Sequence, residues 1–185
     1  MLLDDIRAYE PFNEQEREDK EIIISFLENS ADAFLRGNKQ AHMTASAWIV
    51  NKSRDKVLMV YHNLYDSWSW TGGHADGEEK LLKVALKEAK EETGADVKPV
   101  VENIFSLEIL TVDGHEKKGE YVPSHLHMNV TYLLEASEED VLKICPDENS
   151  GVSWFSLEDA LAKSTEPWFV QRIYKKLNEK MKSVL

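Results

Sequence analysis

Glu88, Glu91 and Glu92 fall at i, i+3 and i+4 of one segment. If that segment is helical, the three carboxylates share one face on adjacent turns. Like charges so placed cost a helix only a few tenths of a kcal/mol per pair, so a solvated acidic face is the plain alternative. Two features of the neighbourhood favour a ligand. Gly72 and Gly73 stand upstream, and a missing side chain lets the backbone approach another group closely. A rigid helix presents carboxylates at fixed spacing, and hard cations such as Mg²⁺ take oxygen ligands together with waters and substrate phosphates. The chemistry this arrangement suits is binding of a hard cation beside a phosphate-bearing ligand.

The element that must hold these groups is a helix expected over Glu78 to Thr93 and stopped by Gly94. At about 100° per residue it has three sectors. Leu82, Ala85, Leu86, Ala89 and Thr93 face a core, Lys80, Lys83, Lys87 and Lys90 face water, and the glutamates form the third sector. Ahead of it, Glu14 to Leu35 reads as a helix with an apolar stripe, stopped at Gly37 and Asn38. Met43–Val50 and Lys56–Tyr61 read as strands, and Ser67–Thr71 leads into the glycine pair as a breaker. Val97–Val112 reads as extended with an interruption at Val101–Asn103, followed by a turn at Asp113-Gly114 and a charged loop to Glu120. His125–Leu134 and Val152–Phe155 are further strands. Ser156 caps a helix, and Pro167 opens the last one, Trp168 to Met181. Strands flanked by helices indicate an α/β sandwich with a central mixed sheet, residues 39–185, behind an N-terminal helical extension, residues 1–38. The extension's helix has an apolar face that fits either its own domain or a second subunit, which makes a homodimer one reading.

From Gly73 to Ala95 the chain resembles the signature of the Nudix hydrolases. That pattern is Gly, five residues, Glu, seven residues, Arg-Glu, an apolar residue, any residue, Glu-Glu, any residue, Gly and an apolar residue. Here it reads Gly73, Glu79, Lys87-Glu88-Ala89-Lys90-Glu91-Glu92-Thr93-Gly94-Ala95, with every spacing kept and lysine in place of arginine. The resemblance implies an α/β/α sandwich of the Nudix type and hydrolysis of a diphosphate linked to a nucleoside or a related small molecule. Its cofactor would be Mg²⁺, with Mn²⁺ as a substitute. In such a reaction a cation offsets phosphate charge and acidifies a water, and a carboxylate serves as base. By the same resemblance Glu88, Glu91 and Glu92 are metal ligands, with Glu88 also orienting or deprotonating the attacking water. Gly73 contributes backbone to the metal site, and Glu79 has a structural or secondary metal role. Lysine at 87 keeps the charge of the family's arginine but loses its planar fork, which suits a looser site and leaves a ligand-binding module of weak activity as the alternative. An isopentenyl-diphosphate isomerase of this fold would carry a cysteine ahead of the acidic helix. This chain has Trp70-Thr71-Gly72-Gly73 there, and its one cysteine is Cys145.

Further residues are candidates by position. Trp68 and Trp70 alternate before the glycines, as stacking surfaces for a base or sugar or as core. His74 lies in the glycine segment within reach of a phosphate. His125 and His127 alternate on a strand, as ligand or phosphate contacts or as structural groups. Glu148, in a late loop, is placed for an additional catalytic base, and Glu120 is a weaker candidate of that kind. With 34 acidic against 22 basic residues the formal net charge is −12. Such a field repels nucleic-acid polymers but admits a small phosphorylated substrate whose charge a cation offsets. Met1–Pro11 carries Asp4, Asp5 and Glu10 and lacks the apolar run of a secretory leader, and no stretch reaches the roughly 20 apolar residues of a membrane span. A cytoplasmic protein is the expectation, with which a lone cysteine agrees.

Overall fold

The computed structural model describes residues 1–117 and 119–183. The chain runs α1 (Leu2–Ala8), α2 (Glu14–Asn29), β1 (Ala41–Val50), β2 (Lys56–His62), β3 (Ser67–Ser69), β4 (Thr71–His74), α3 (Leu81–Thr93), β5 (Lys98–Pro99), β6 (Ser106–Val112), β7 (His115–Lys117), β8 (Glu120–Val122), β9 (His125–Glu135), β10 (Asn149–Ser156), α4 (Leu157–Lys163), α5 (Pro167–Phe169), a π-helical turn (Val170–Tyr174) and α6 (Lys175–Met181).

The sheet is mixed. β1 and β9 form its parallel centre, from Ala41 opposite Leu126 to Val50 opposite Glu135. β2 pairs antiparallel with the end of β1, and β10 pairs with β2 at the edge. β1 and β2 then diverge. β4 fills the gap along β1, with Ala45 opposite Gly73, while β3 pairs with β2. β5 and β6 share the far edge of β9, and β7–β8 is a separate hairpin. Strand alternation sorts side chains onto two faces. Met43, Ala45 and Ala47 pack with Leu81, Val84, Ala85 and Ala89 of α3. Trp48 and Leu133 pack on the other face with Ile173, Tyr174 and Leu177 of the C-terminal helices.

Ile6 of α1 and Ile23 of α2 join the same core cluster as Met43 and Leu134, so the N-terminal helices share the apolar interior with the sheet. A buried charged network adds to this. The Lys176 ammonium donates to Gln15 Oε1 at 2.8 Å and Glu108 Oε1 at 2.9 Å and lies 3.2 Å from Glu16. Lys180 donates to Glu16 Oε1 at 2.7 Å, and Ser106 and Tyr9 donate to the same carboxylate at 2.7 and 2.6 Å. Glu108 also accepts from Thr131 and Asn129.

Several expectations are corrected. The helix expected to reach Leu35 ends at Asn29, because the following residues turn back and give backbone acceptors elsewhere: Ala33 O takes Met43 N–H of β1, and Phe34 O takes Gly77 N–H in the turn after β4. The glycine pair lies inside β4, where the close approach of β1 and α3 excludes side chains. The charged loop after Gly114 is the β7–β8 hairpin, with Gly119 at φ 82° in its turn; Lys118 lies outside the described residues. Helix α3 starts at Leu81 rather than Glu78, whose carboxylate instead accepts from Lys80 N–H at 3.0 Å. Its other end is as expected, with Gly94 at φ 75° closing onto Lys90 O. No helix among the described residues is long and apolar enough to cross a membrane.

Candidate active site

Burial of Leu81, Val84, Ala85 and Ala89 fixes the rotation of α3. Each buried leucine or valine contributes about 1.5–3 kcal/mol, which outweighs the few tenths lost per glutamate pair, so packing sets where the carboxylates point. Glu92 is 3% exposed and its Oε1 accepts the Gly72 N–H at 2.9 Å. Glu88 lies against Gly73: a Cβ there would stand 2.7 Å from Glu88 Cγ and 2.8 Å from its Oε2, with Cδ nearer still. Glu91 is the outer member, its side chain about half exposed.

Glu148 joins them from the segment that opens β10. Its carbonyl accepts from Asn63 N–H at 2.9 Å, and the adjacent Asn149 amide donates to the Glu92 carbonyl at 3.0 Å. Burial pushes the Glu92 carboxyl up to about 8 against the pull of the Gly72 N–H, and repulsion from Glu148, Glu88 and Glu91 adds to the rise. Lys87 donates to Glu91 at 2.9 Å and to Glu88 at 3.0 Å; these two carboxylates hold its ammonium above the ordinary lysine range. Glu88, Glu91 and Glu148 outnumber the one exposed lysine, so the cluster is net negative, and a bound cation would favour the anionic form of Glu92 as well. An all-oxygen, anionic donor set of this kind suits a hard divalent cation. Nearby, Arg36 makes a two-pronged ion pair with Asp76, its Nε donating to Oδ1 at 2.6 Å, and it feels the charge of Glu88 and Glu148. Sequence reading did not single out Arg36, because nothing local marks an arginine in a turn as a partner of a residue 40 positions on.

The other expected residues divide. His74, His125 and His127 come together, and they do so around His42 rather than around the glutamates. Gly73 faces Glu88 of α3, so His74, the next residue of β4, points to the opposite face of the sheet. His42 stands one residue ahead of the expected strand start. The signal that marks it is the alternation of His42, Thr44 and Ser46, polar groups that are all buried. Burial, with repulsion from His74, His42, His125 and His115, pushes the His127 pKa down to about 2, and burial lowers that of His42 as well.

Trp70 offers no stacking face: it is 7% exposed, edge-on to Phe169 and Tyr174 in the core. Trp68 is half-buried and edge-on to Phe155 and Tyr61. Glu79 is exposed ahead of α3, and Glu120 is exposed on β8.

A model of the NUDIX domain family matches residues 40–177. A probable DHNTP pyrophosphohydrolase of Lactococcus lactis subsp. cremoris (strain MG1363) is 29% identical over 127 residues, 68% of this chain and 74% of that protein. The m7GpppN-mRNA hydrolase NUDT17 of Xenopus laevis is 33% identical over 113 residues, 58% of this chain and 36% of that longer protein. Among solved structures, a NUDIX hydrolase from Nitrosomonas europaea superposes with a TM-score of 0.56 at 19% identity, over 76% of this chain and 88% of that one, a likeness of fold.

Proposed function

The chain belongs to the NUDIX family of hydrolases, and from that premise we propose that it cleaves a diphosphate linkage in a nucleoside diphosphate-linked or related small molecule, with Mg²⁺ or Mn²⁺ as cofactor. The observation that carries this reading is the seating of two glutamates on the glycine strand: Gly72 N–H holds Glu92, and the absent side chain of Gly73 makes room for Glu88. Glu88, Glu91 and Glu92 would hold the cation, which when bound supplies charge neutralisation at the phosphates and acidifies a water. Glu88 orients the attacking water and takes its proton, and Glu148 is a second base within electrostatic reach. Lys87 ties Glu88 to Glu91 and limits their splaying. The net charge of −12 supports a small substrate over a nucleic-acid polymer.

The test is a phosphate-release screen over nucleotide sugars, dinucleoside polyphosphates, nucleoside triphosphates and non-nucleoside diphosphates, with Mg²⁺ or Mn²⁺. The native protein is compared with Glu91→Gln and Glu92→Gln. Metal-dependent turnover that falls by about 100-fold or more in both variants is expected. No turnover on any compound, with no metal binding by calorimetry, would replace the hydrolase reading with that of a ligand-binding module.

A further inference from the structure

His42 of β1, His74 of β4, and His125 and His127 of β9 come from three strands, yet one ring nitrogen from each lies within 4.8 Å of all the others. Five of the six ring-centroid separations are 4.9, 4.9, 5.0, 5.0 and 5.1 Å. Four imidazoles around a tetrahedral ion, with metal–nitrogen bonds of about 2.0–2.1 Å, place their ring centroids about 5.2 Å apart and their nitrogens about 3.3 Å apart. The His125 and His127 Nε2 atoms stand at 3.2 Å in a hydrogen bond, so an ion would take the place of the one proton between them.

The outward nitrogens say what the inward ones carry. His42 Nδ1 is 3.1 Å from the Asn38 carbonyl, and His125 Nδ1 is 2.8 Å from the Pro123 carbonyl. A carbonyl only accepts, so each Nδ1 holds a proton, and in the neutral ring each Nε2 then presents a lone pair. This Nδ1–H to carbonyl bond is the support that metal-ligating histidines ordinarily have. His42 is 4% exposed, and its Nε2 is buried without a hydrogen-bond partner. An orphaned acceptor in the interior is costly unless something electrophilic meets it. An anion would need converging N–H groups, and the two tautomers that the carbonyls fix present lone pairs instead.

From this geometry we propose that His42, His74, His125 and His127 form a nitrogen-only site for a divalent transition ion of the zinc class, distinct from the glutamate site. Imidazole nitrogen suits zinc and its neighbours, whereas magnesium prefers oxygen, so the two sites sort ions by donor type. They sit on opposite faces of one strand: Gly73 lies against Glu88, and His74 faces the tetrad. An ion in the tetrad would pin β4 to β1 and β9 and so hold the glycine strand on which Glu88 and Glu92 rest. The site does not depend on the hydrolase reading.

The experiment uses the full chain stripped with chelator and titrated with Zn²⁺ and, separately, Co²⁺. Zinc is expected to bind in one equivalent, to raise Tm, and to do so equally in the Glu91→Gln/Glu92→Gln double variant. His42→Gln and His127→Gln should each weaken zinc binding by about 100-fold or more, since even the loss of an outer-shell partner costs 10- to 100-fold. Because His42→Gln could fail to fold, the cobalt spectrum of the native protein decides independently. Intense visible absorption of tetrahedral cobalt is expected, and only weak octahedral bands would overturn the proposal. Zinc binding that survives both histidine variants, or that vanishes in the glutamate variant, would also overturn it.

Discussion

The glycine strand gives the sharpest perturbation of the candidate active site. In Gly73→Ala the new methyl group would stand 2.7 Å from Glu88 Cγ, where carbon atoms rest at about 3.5–4.0 Å, so one of them must move by about 1 Å. The yielding partner is the Glu88 side chain, which turns about its own bonds while the strand stays paired to Ala45. The cost therefore falls on catalysis. A misplacement of about 1 Å in a positioned catalytic group lowers rate by about 100-fold, or about 2.7 kcal/mol of transition-state stabilisation. Stability should change by less than about 1 kcal/mol, because alanine also loses less entropy than glycine on folding. Gly72→Ala is the contrasting control. Its methyl group would meet Ser46 Oγ at 2.6 Å and the Ala45 carbonyl at 2.8 Å, and backbone in a paired strand cannot step aside. There the loss is structural, about 1–3 kcal/mol, and visible in Tm. Both variants are read by kcat/KM on the best compound of the substrate screen and by thermal denaturation. A Gly73→Ala protein with native Tm and a rate within about threefold of native would show that Glu88 is not held where the chemistry needs it.

Three further outcomes follow from the interior. Lys176→Met leaves Glu16 and Glu108 buried without one of their cations, and it should lower the unfolding free energy by about 3–5 kcal/mol in urea; a loss under about 1 kcal/mol would mean water reaches the network. For acid stability, burial raises the Glu16 pKa, but Lys176 and Lys180 pull it down further, to a net value of about 2. A depressed carboxyl contributes stability above its unfolded value of about 4.5 and loses it as pH falls toward 2, here about 3 kcal/mol across that window; a urea midpoint that does not fall between pH 5 and 3 would contradict the assignment. Trp70→Ala should cost about 3–5 kcal/mol of stability as a core truncation, whereas Trp68→Ala should cost less, and equal losses in thermal or urea unfolding would contradict the difference in burial.

The order of the elements was legible because local rules govern it. The acidic helix shows its apolar stripe and its Gly94 stop within 14 residues, and β1, β2 and β9 carry apolar runs bounded by turn residues. Misreadings came where the tertiary neighbour decides. Gly72-Gly73 has the composition of a breaker, but in β4 the glycines serve close approach, and only the positions of Ser46 and Glu88 make that evident. The end of α2 is likewise set by β1, whose Met43 N–H takes the Ala33 carbonyl.

The candidate site divides along the same line. Glu88, Glu91 and Glu92 sit on one helix, so spacing alone brings them together. Glu148 required the chain to return, and its approach to Glu92 is fixed by the Asn149 amide on a carbonyl 57 residues earlier. The polar interior is the extreme case. Alternate residues of β1 and β9 are polar, the pattern of strands with one face in water, yet both faces are covered here. His42, Thr44 and Ser46 on β1, and His127, Asn129 and Thr131 on β9, are therefore obliged to satisfy one another. Thr44 and Ser46 donate to Asn129 Oδ1 at 2.9 and 3.0 Å, and Asn129 donates onward to Glu108 at 3.1 Å. From Glu108 the chain of contacts passes through Lys176 to Glu16, and so to Lys180, 164 residues away in sequence. At its other end the same polar face meets the four histidines, where the buried His42 Nε2 has no hydrogen-bond partner. A pattern that in isolation marks a wetted surface becomes, once a second layer covers it, a demand for partners. At the tetrad that demand is what an ion would answer.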